Sequence, residues 1–440
     1  MDRLSRRRPD RGESPGPPPG PLPRLLAGLA AGVALALVVA LLMSGPDDDG
    51  AGPRTPEACR ELSVTGWRAD EEMTAEFARY GDDNARLDDW TGGDGSRSVR
   101  LPDGRTLWLS ADTFLDRVHP ATPAGGPSRD PSPVWVRNAG VVMAPDGRLE
   151  RTLLGPGPGA FFPGLTGRDG REVWRWPVQG VVEPREPGAR ERVVRVLLWQ
   201  REAGGPPWAF GVPRATEVAT LSLPGLRLES VEPVDVPPEA DPARRVLYGT
   251  SAVREGGWTY VFGADEGTVR GTSSRAHVAR VPVGALADRS AWRYWDGEGW
   301  RADPAAARAL SVGAAPWADP DRGASNTYTV TRRGGTWLLL TTDAGGPDGR
   351  GLTTVTSYWA CSPQGPWHGP SDALTPPLPE GGRAAGAVAY NPQAHPAFSA
   401  GGADLLLSYD VNVTGSTSAV HRDVALYRPR FVRLEVSASR

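Results

Sequence analysis

Residues 101–112 read Leu101-Pro102-Asp103-Gly104-Arg105-Thr106-Leu107-Trp108-Leu109-Ser110-Ala111-Asp112: a tight glycine turn, three consecutive apolar residues, two spacers and an acid. The pattern apolar-apolar-apolar-x-x-acid returns at Leu197-Leu198-Trp199 to Glu202, Tyr260-Val261-Phe262 to Asp265, Leu338-Leu339-Leu340 to Asp343 and Leu405-Leu406-Leu407 to Asp410. Successive acids stand 90, 63, 78 and 67 residues apart. A repeat of that length is too long for one turn of a solenoid and suits a four-stranded sheet with its loops. Five such units predict an all-β, five-bladed β-propeller.

The residues before the triplets support strands joined by hairpins. Asp103-Gly104, Gly256-Gly257, Gly334-Gly335 and Gly401-Gly402 precede four of them, and a polar stretch around Pro187 and Gly188 precedes the other. Such turns close β-hairpins. Short strand-like runs lie upstream, at Ser98–Leu101, Val181–Glu183, Thr250–Val253, Tyr328–Thr331 and Ala394–Phe398. In an antiparallel hairpin the end of the second strand lies beside the start of the first. The five acids should therefore share one face with the residues that open the first strands. Those openers are polar: Asp94, Gln179, Thr250 with Ser251, Ser325 with Asn326, and Asn391 with Gln393 and His395. One mouth of the ring is thus expected to be a polar, partly acidic cup. For any single acid the plainer reading is a turn cap that binds nearby backbone amides.

The 440 residues include 55 Gly and 45 Pro, as an all-β chain with many turns requires. Lysine and isoleucine are absent, so all 49 basic residues are arginine. That composition reads as codon bias, and it excludes a P-loop lysine or a Schiff base. The net charge is −3, with no basic stripe beyond the N-terminus, and nucleic acid is not an expected partner.

Arg3, Arg6, Arg7, Arg8, Arg11 and Arg24 precede an uncharged apolar run from Leu25 to Met43, and Asp47, Asp48 and Asp49 follow it. Such a run can span a bilayer, and the arginines keep its N-terminal side in the cytoplasm. The expected division is a cytoplasmic tail at 1–24, a signal anchor at 25–43, a linker at 44–56 and an extracytoplasmic propeller at 57–440. A cleaved signal peptide is the competing reading, but Leu42-Met43-Ser44 offers no small-x-small site. Cys59 and Cys361 are the two cysteines, and either a disulfide or two buried thiols fits an oxidising exterior. Glu71 and Glu72, followed by Met73, Phe77 and Tyr80 on one face, predict a helix over 70–80. Of the sixteen tryptophans, those on strands are expected between blades, and loop residues such as Trp135, Trp176 and Trp208 are candidates for the rim.

The order of several motifs carries a resemblance. Trp90-Thr-Gly-Gly-Asp94-Gly, Leu101 to Phe114, Val136-Arg-Asn138-Ala-Gly, Tyr260-Val-Phe-Gly-Ala-Asp265, Tyr390-Asn-Pro-Gln-Ala-His395-Pro and Leu407-Ser-Tyr-Asp410-Val-Asn412 follow one another. Together they resemble secreted, five-bladed bacterial proteins of unknown function, some of whose relatives are endo-D-arabinanases. These are similar in architecture to the furanosidase superfamily of glycoside hydrolases. The resemblance covers most of residues 85–436. It implies carboxylates on the innermost strands of the first three blades, one as acid and another as base or nucleophile. Asp94 stands at the first position. The second offers Gln179, with Glu183 nearby, and the third, Tyr248-Gly-Thr250, has no acid.

Three readings follow. In the enzyme reading Asp94, Asp112 and Asp265 form the carboxylate set, and Asn138, Gln179, Asn326, Asn391, His395 and Asp410 bind a furanose-containing polysaccharide of the cell envelope. In the binding reading the cup keeps its shape without the acid. A surface propeller with a protein ligand is the third class. No cofactor is implied, although His395 could help hold a structural cation in the channel.

Overall fold

The computed structural model describes residues 58–438, apart from 124, 207, 209, 237, 238, 240, 267–273, 314, 317–323, 344–353, 400–403 and 414. The five triplets lie in strands Thr106–Ser110, Arg192–Glu202, Trp258–Ala264, Thr336–Asp343 and Asp404–Asn412. Leu107, Leu109, Leu197, Leu198, Val261, Phe262 and all three residues of the last two triplets are completely buried. A strand covered on both faces reads as an apolar run, not as an alternation. Each such side chain contributes roughly 1.5–3 kcal/mol by leaving water.

Each triplet strand pairs antiparallel with the strand that precedes it in the chain. Its partner on the inner side is Arg97–Arg100, Glu172–Pro184, Leu247–Glu255, Ala324–Arg333 or Val388–Ala394. The five sheets have four, five, five, four and four strands in chain order. Gly256 and Gly257, at φ +56° and +82°, close the third hairpin in the mirror-image conformation that matches strand twist.

The inner strands hold one another by side chains that reach the next strand's backbone. Arg97 Nε donates to the Val178 carbonyl at 2.9 Å, and Trp199 Nε1 to the Tyr248 carbonyl at 3.0 Å. The Thr250 hydroxyl accepts from Tyr328 N and donates to its carbonyl, both at 3.0 Å, and Ser251 treats Val330 likewise. Ala394 N donates to Thr329 Oγ1 at 3.1 Å, and Ser98 Oγ meets His395 Nδ1 at 2.7 Å, which returns the fifth sheet to the first. The close approach explains Gly180, where a Cβ would collide with Val99.

Two elements differ from expectation. The inner strand of the fifth sheet is Val388–Ala394, and the Pro396–Phe398 stretch is a single 3-10 turn, because Pro396 has no N–H for a ladder. Before the first triplet sheet, Leu62–Ala69 forms the outer strand of the fifth sheet, paired with C-terminal Arg430–Ala438 from Leu62↔Ala438 to Ala69↔Val432. The two ends of the domain thus complete one sheet. Cys59, just before this strand, is disulfide-bonded to Cys361, which follows strand Val355–Ala360 of the fourth sheet, with a Cα–Cα distance of 5.4 Å. A bridge across 302 residues stabilises the fold by on the order of 5–6 kcal/mol in the chain-entropy account.

The predicted helix is Glu71–Gly81, capped by the Asp70 carboxylate on Met73 N. Phe77 packs edge-on against Trp90 and Trp108. Among the described residues no helix is long and apolar enough to cross a membrane. The expected anchor at 25–43 lies outside the described residues, as do Gly401 and Gly402.

Candidate functional site

The hairpin geometry brings Asp94 and Asp112 together, with Asp94 N donating to the Asp112 carbonyl at 3.4 Å and Ala111 N to the Asp94 carbonyl at 2.8 Å. Asp94 opens the first sheet and lines a cavity of about 240 Å³ with Arg97, Trp176, Arg201, Phe210, Asn326, Tyr390 and Asn391. Its Oδ2 accepts the Tyr390 hydroxyl at 2.7 Å, while its Oδ1 is buried and accepts no hydrogen bond. Asp410, from the fifth sheet, lies beneath. Its Oδ2 accepts Gly95 N at 2.6 Å and Asn391 Nδ2 at 2.9 Å, and its Oδ1 is likewise unpartnered. Asn391 takes φ +53°, a left-handed conformation that asparagine tolerates and most residues do not.

Burial, then the neighbouring charges of Asp410 and Asp112, pushes the Asp94 carboxyl well above the usual range. Burial also raises Asp410, but Asn391, Arg97 and the Gly95 N–H oppose it. Two carboxylates so close do not both ionise readily. The hydrogen bonds favour one distribution: Asp410 receives two N–H donors that stabilise its charged form, whereas Asp94 has none and is the more strongly raised of the two. Arg97, only 2% exposed, supplies the compensating cation, and burial lowers its own pKa to about 10.

Asp112 does not line the cavity itself. Its Oδ1 accepts Trp176 Nε1 at 2.9 Å, and Arg137 stands 3.6 Å from Oδ2. Burial raises its pKa against these two partners. On the far wall Arg201 is ion-paired with Glu266 and lies over Trp176, 5.3 Å from the ring centroid. Asn326 Nδ2 contacts the same Glu266 at 3.4 Å.

Of the expected ligand-contacting residues, Asp94, Asn326 and Asn391 line the cavity, and Asp410 supports it from below. Gln179 lies beyond a bulge at Pro177, and its Oε1 accepts Gly180 N at 3.0 Å, so its neighbours Pro177 and Val178 line the wall in its place. Asp265 is fully buried and ion-paired with Arg275. Asn138 is also fully buried, where it donates to the Phe162 and Arg175 carbonyls and accepts Phe162 N. His395 sits between Ser98 Oγ and Ser408 Oγ, at 2.7 and 2.8 Å, and against Trp108. Both of its ring nitrogens are thereby engaged, and burial depresses its pKa to about 3. This donor set does not fit a channel cation, and among the described residues no group of three or more His, Cys, Asp or Glu is arranged to hold a metal.

Sequence reasoning missed Tyr390, Arg97, Arg201 and Phe210. Tyr390 carried a signal, since it precedes Asn391 in a quoted motif. The arginines carried none, because a buried arginine is indistinguishable in sequence from the many solvated ones.

Sequential antiparallel sheets whose inner strands surround one cavity, the last sheet completed by pairing the two ends of the described domain, define an all-β fold of the β-propeller kind. Residues 76–436 match the family described as domain of unknown function DUF5005, and the chain belongs to that family. A structure from Bacteroides ovatus ATCC 8483, provisionally described as a hydrolase, is similar at a TM-score of 0.59 and 18% identity, over 88% of this chain and 97% of that one. The GH43 β-xylosidase/α-arabinofuranosidase CoXyl43 from a compost microbial metagenome gives a TM-score of 0.42 and 12% identity, over 85% and 95%. A B. megaterium levansucrase mutant gives 0.44 and 10%, over 79% and 85%. The likeness to the Bacteroides ovatus structure is one of fold alone. No curated protein matches the chain in sequence.

Proposed function

We propose that the protein is a membrane-anchored, extracytoplasmic five-bladed propeller that hydrolyses glycosidic bonds in a furanose-containing polysaccharide of the cell envelope. The observation that carries the reading is the place of Asp94, bonded to Tyr390 through Oδ2, with Oδ1 unpartnered, lining a cavity walled by aromatic and amide side chains, where burial and the charge of Asp410 push its pKa up. A protonated carboxyl in such a place can donate to a leaving glycosidic oxygen. Asp112, beside it on the same hairpin but outside the cavity lining, is the candidate second carboxylate, and it would have to release Trp176 or Arg137 to activate water or attack. Phe210, 66% exposed at the cavity, offers a face on which a sugar ring can stack.

A binding-only reading has its own support, since a single carboxylate, Asp94, lines the cavity among the described residues. Incubation of the protein with arabinan and a panel of envelope polysaccharides separates the two. The hydrolase reading expects new reducing ends, and saturable retention without them would replace it with a carbohydrate-binding module.

The anchor rests on the apolar run from Leu25 to Met43 behind six arginines. Protease added to intact, wall-stripped cells is expected to digest the propeller. Digestion only after lysis would reverse the orientation.

A further inference from the structure

Where the outer strand of the second sheet meets the third sheet, the surface opens into a recess of about 540 Å³ that shares no lining residue with the central cavity. Its walls carry Arg244, Arg275 and Arg308, and its floor carries Tyr248 and His277. Tyr248 is 1% and His277 6% exposed, yet neither the tyrosine hydroxyl nor either imidazole nitrogen has a hydrogen-bond partner. The Arg308 carbonyl stands near the imidazole without the geometry of a bond. Two buried polar side chains left unsatisfied at one floor each carry a desolvation cost that a ligand would offset.

The remaining groups indicate which ligand. Arg244 is exposed, and its guanidinium has no ion-pair or hydrogen-bond partner among the described residues. Arg275 gives Nε and Nη2 to Asp265, leaving Nη1, and Arg308 uses Nη1 on the carbonyls of its own turn, leaving Nε and Nη2. Two acids share the recess, and both are engaged. Asp235 accepts the Tyr294 hydroxyl at 3.0 Å and is pushed up to about 6 by burial, and Glu239 accepts Asp241 N at 3.1 Å. Free donors on the lining therefore outnumber free acceptors. The geometry points to a binding site for a tetrahedral oxyanion, a phosphate or sulfate group, free or carried by a sugar. Guanidinium groups match such oxygens in charge and in geometry.

The link to the central cavity is short. Asp265 holds Arg275 of this recess, and the next residue, Glu266, holds Arg201 of the cavity wall.

The full-length chain, with histidine labelled by nitrogen-15, gives five imidazole rings, each with a pair of nitrogen signals, and His277→Gln assigns the pair that matters. Titration with sodium phosphate at constant ionic strength, to hold screening fixed, is expected to move that pair saturably with a Kd of about 1 mM or tighter. Because Arg244 is exposed, Arg244→Gln should leave the melting temperature unchanged and weaken phosphate binding by about tenfold or more. Sulfate, a pentose 5-phosphate and free arabinose complete the panel. Tighter binding of the ester marks a sugar-borne group, and equal binding marks the free ion. A His277 signal that phosphate and sulfate leave unmoved would overturn the site. So would an unchanged Kd in the doubly substituted Arg244→Gln, Arg308→Gln chain, or an equal response to uncharged arabinose. None of these readouts depends on hydrolysis, so the site can stand or fall separately from the proposed activity.

Discussion

Asp94→Asn is expected to lower reducing-end release by about 10²–10⁴-fold, the usual contribution of a positioned general acid. The substitution keeps the shape and leaves an oxygen to accept the Tyr390 hydroxyl, but it removes the proton that the cavity needs. Its effect on stability should be small, with a melting temperature within about 2 °C of the parent, because an amide beside Asp410 replaces a carboxyl that burial already disfavours as an anion. The pH dependence follows from the direction of the shift. Asp94 is raised, so the active, protonated form persists above the ordinary carboxylate range, and activity falls as pH rises through the raised value. Asp112→Asn should also slow turnover. Retention of polysaccharide by Asp94→Asn should persist, because in the proposed reading that binding also draws on Phe210, Asn326 and Asn391. Hydrolysis that survives Asp94→Asn with its pH profile intact would remove this residue from the chemistry and turn attention to Glu266.

The parts of this fold that were legible in the sequence are those set by local physics. A strand buried on both faces has to be apolar without interruption, and a two-residue mirror-image turn nearly requires glycine, so triplets such as Leu405-Leu406-Leu407 and the Gly256-Gly257 turn announce themselves. The helix at Glu71–Gly81 is legible for the same reason, through its Asp70 cap and its Met73, Phe77 and Tyr80 face. Strand Leu62–Ala69 was not, because its identity as a strand depends on a partner more than 360 residues away at Arg430–Ala438. The site divides along the same line. That Asp94 and Asp112 meet follows from one hairpin, whereas the contact of Asp94 with Tyr390, and of Gly95 with Asp410, depends on the fifth sheet returning to the first. Asn138 and His395 show the converse. A polar residue in a familiar motif satisfies the motif equally well as an internal brace between strands, and only its partners distinguish the two roles.

Arg97→Met should be the most destabilising single change at the site. The guanidinium is buried beside Asp94 and Asp410, and its Nε also ties the first sheet to the second through the Val178 carbonyl. Removing one partner of a buried charge cluster typically costs about 3–5 kcal/mol, because the remaining charge is left uncompensated. For a domain of this size that corresponds to a melting temperature lower by about 5 °C. The pH dependence separates this cause from a simple loss of packing. Both carboxyls already sit above their ordinary values in the folded protein, and loss of the cation raises them further. A carboxyl whose folded value is raised favours folding most at pH below its unfolded value and loses that contribution as pH rises through the folded one. The deficit of Arg97→Met should therefore be smallest near pH 4–5 and largest at pH 8. A thermal scan of both chains across this range checks it. A deficit of the same size at every pH would mean that Arg97 matters for its hydrogen bond to Val178 and its bulk, and that the charge on Asp410 is balanced elsewhere.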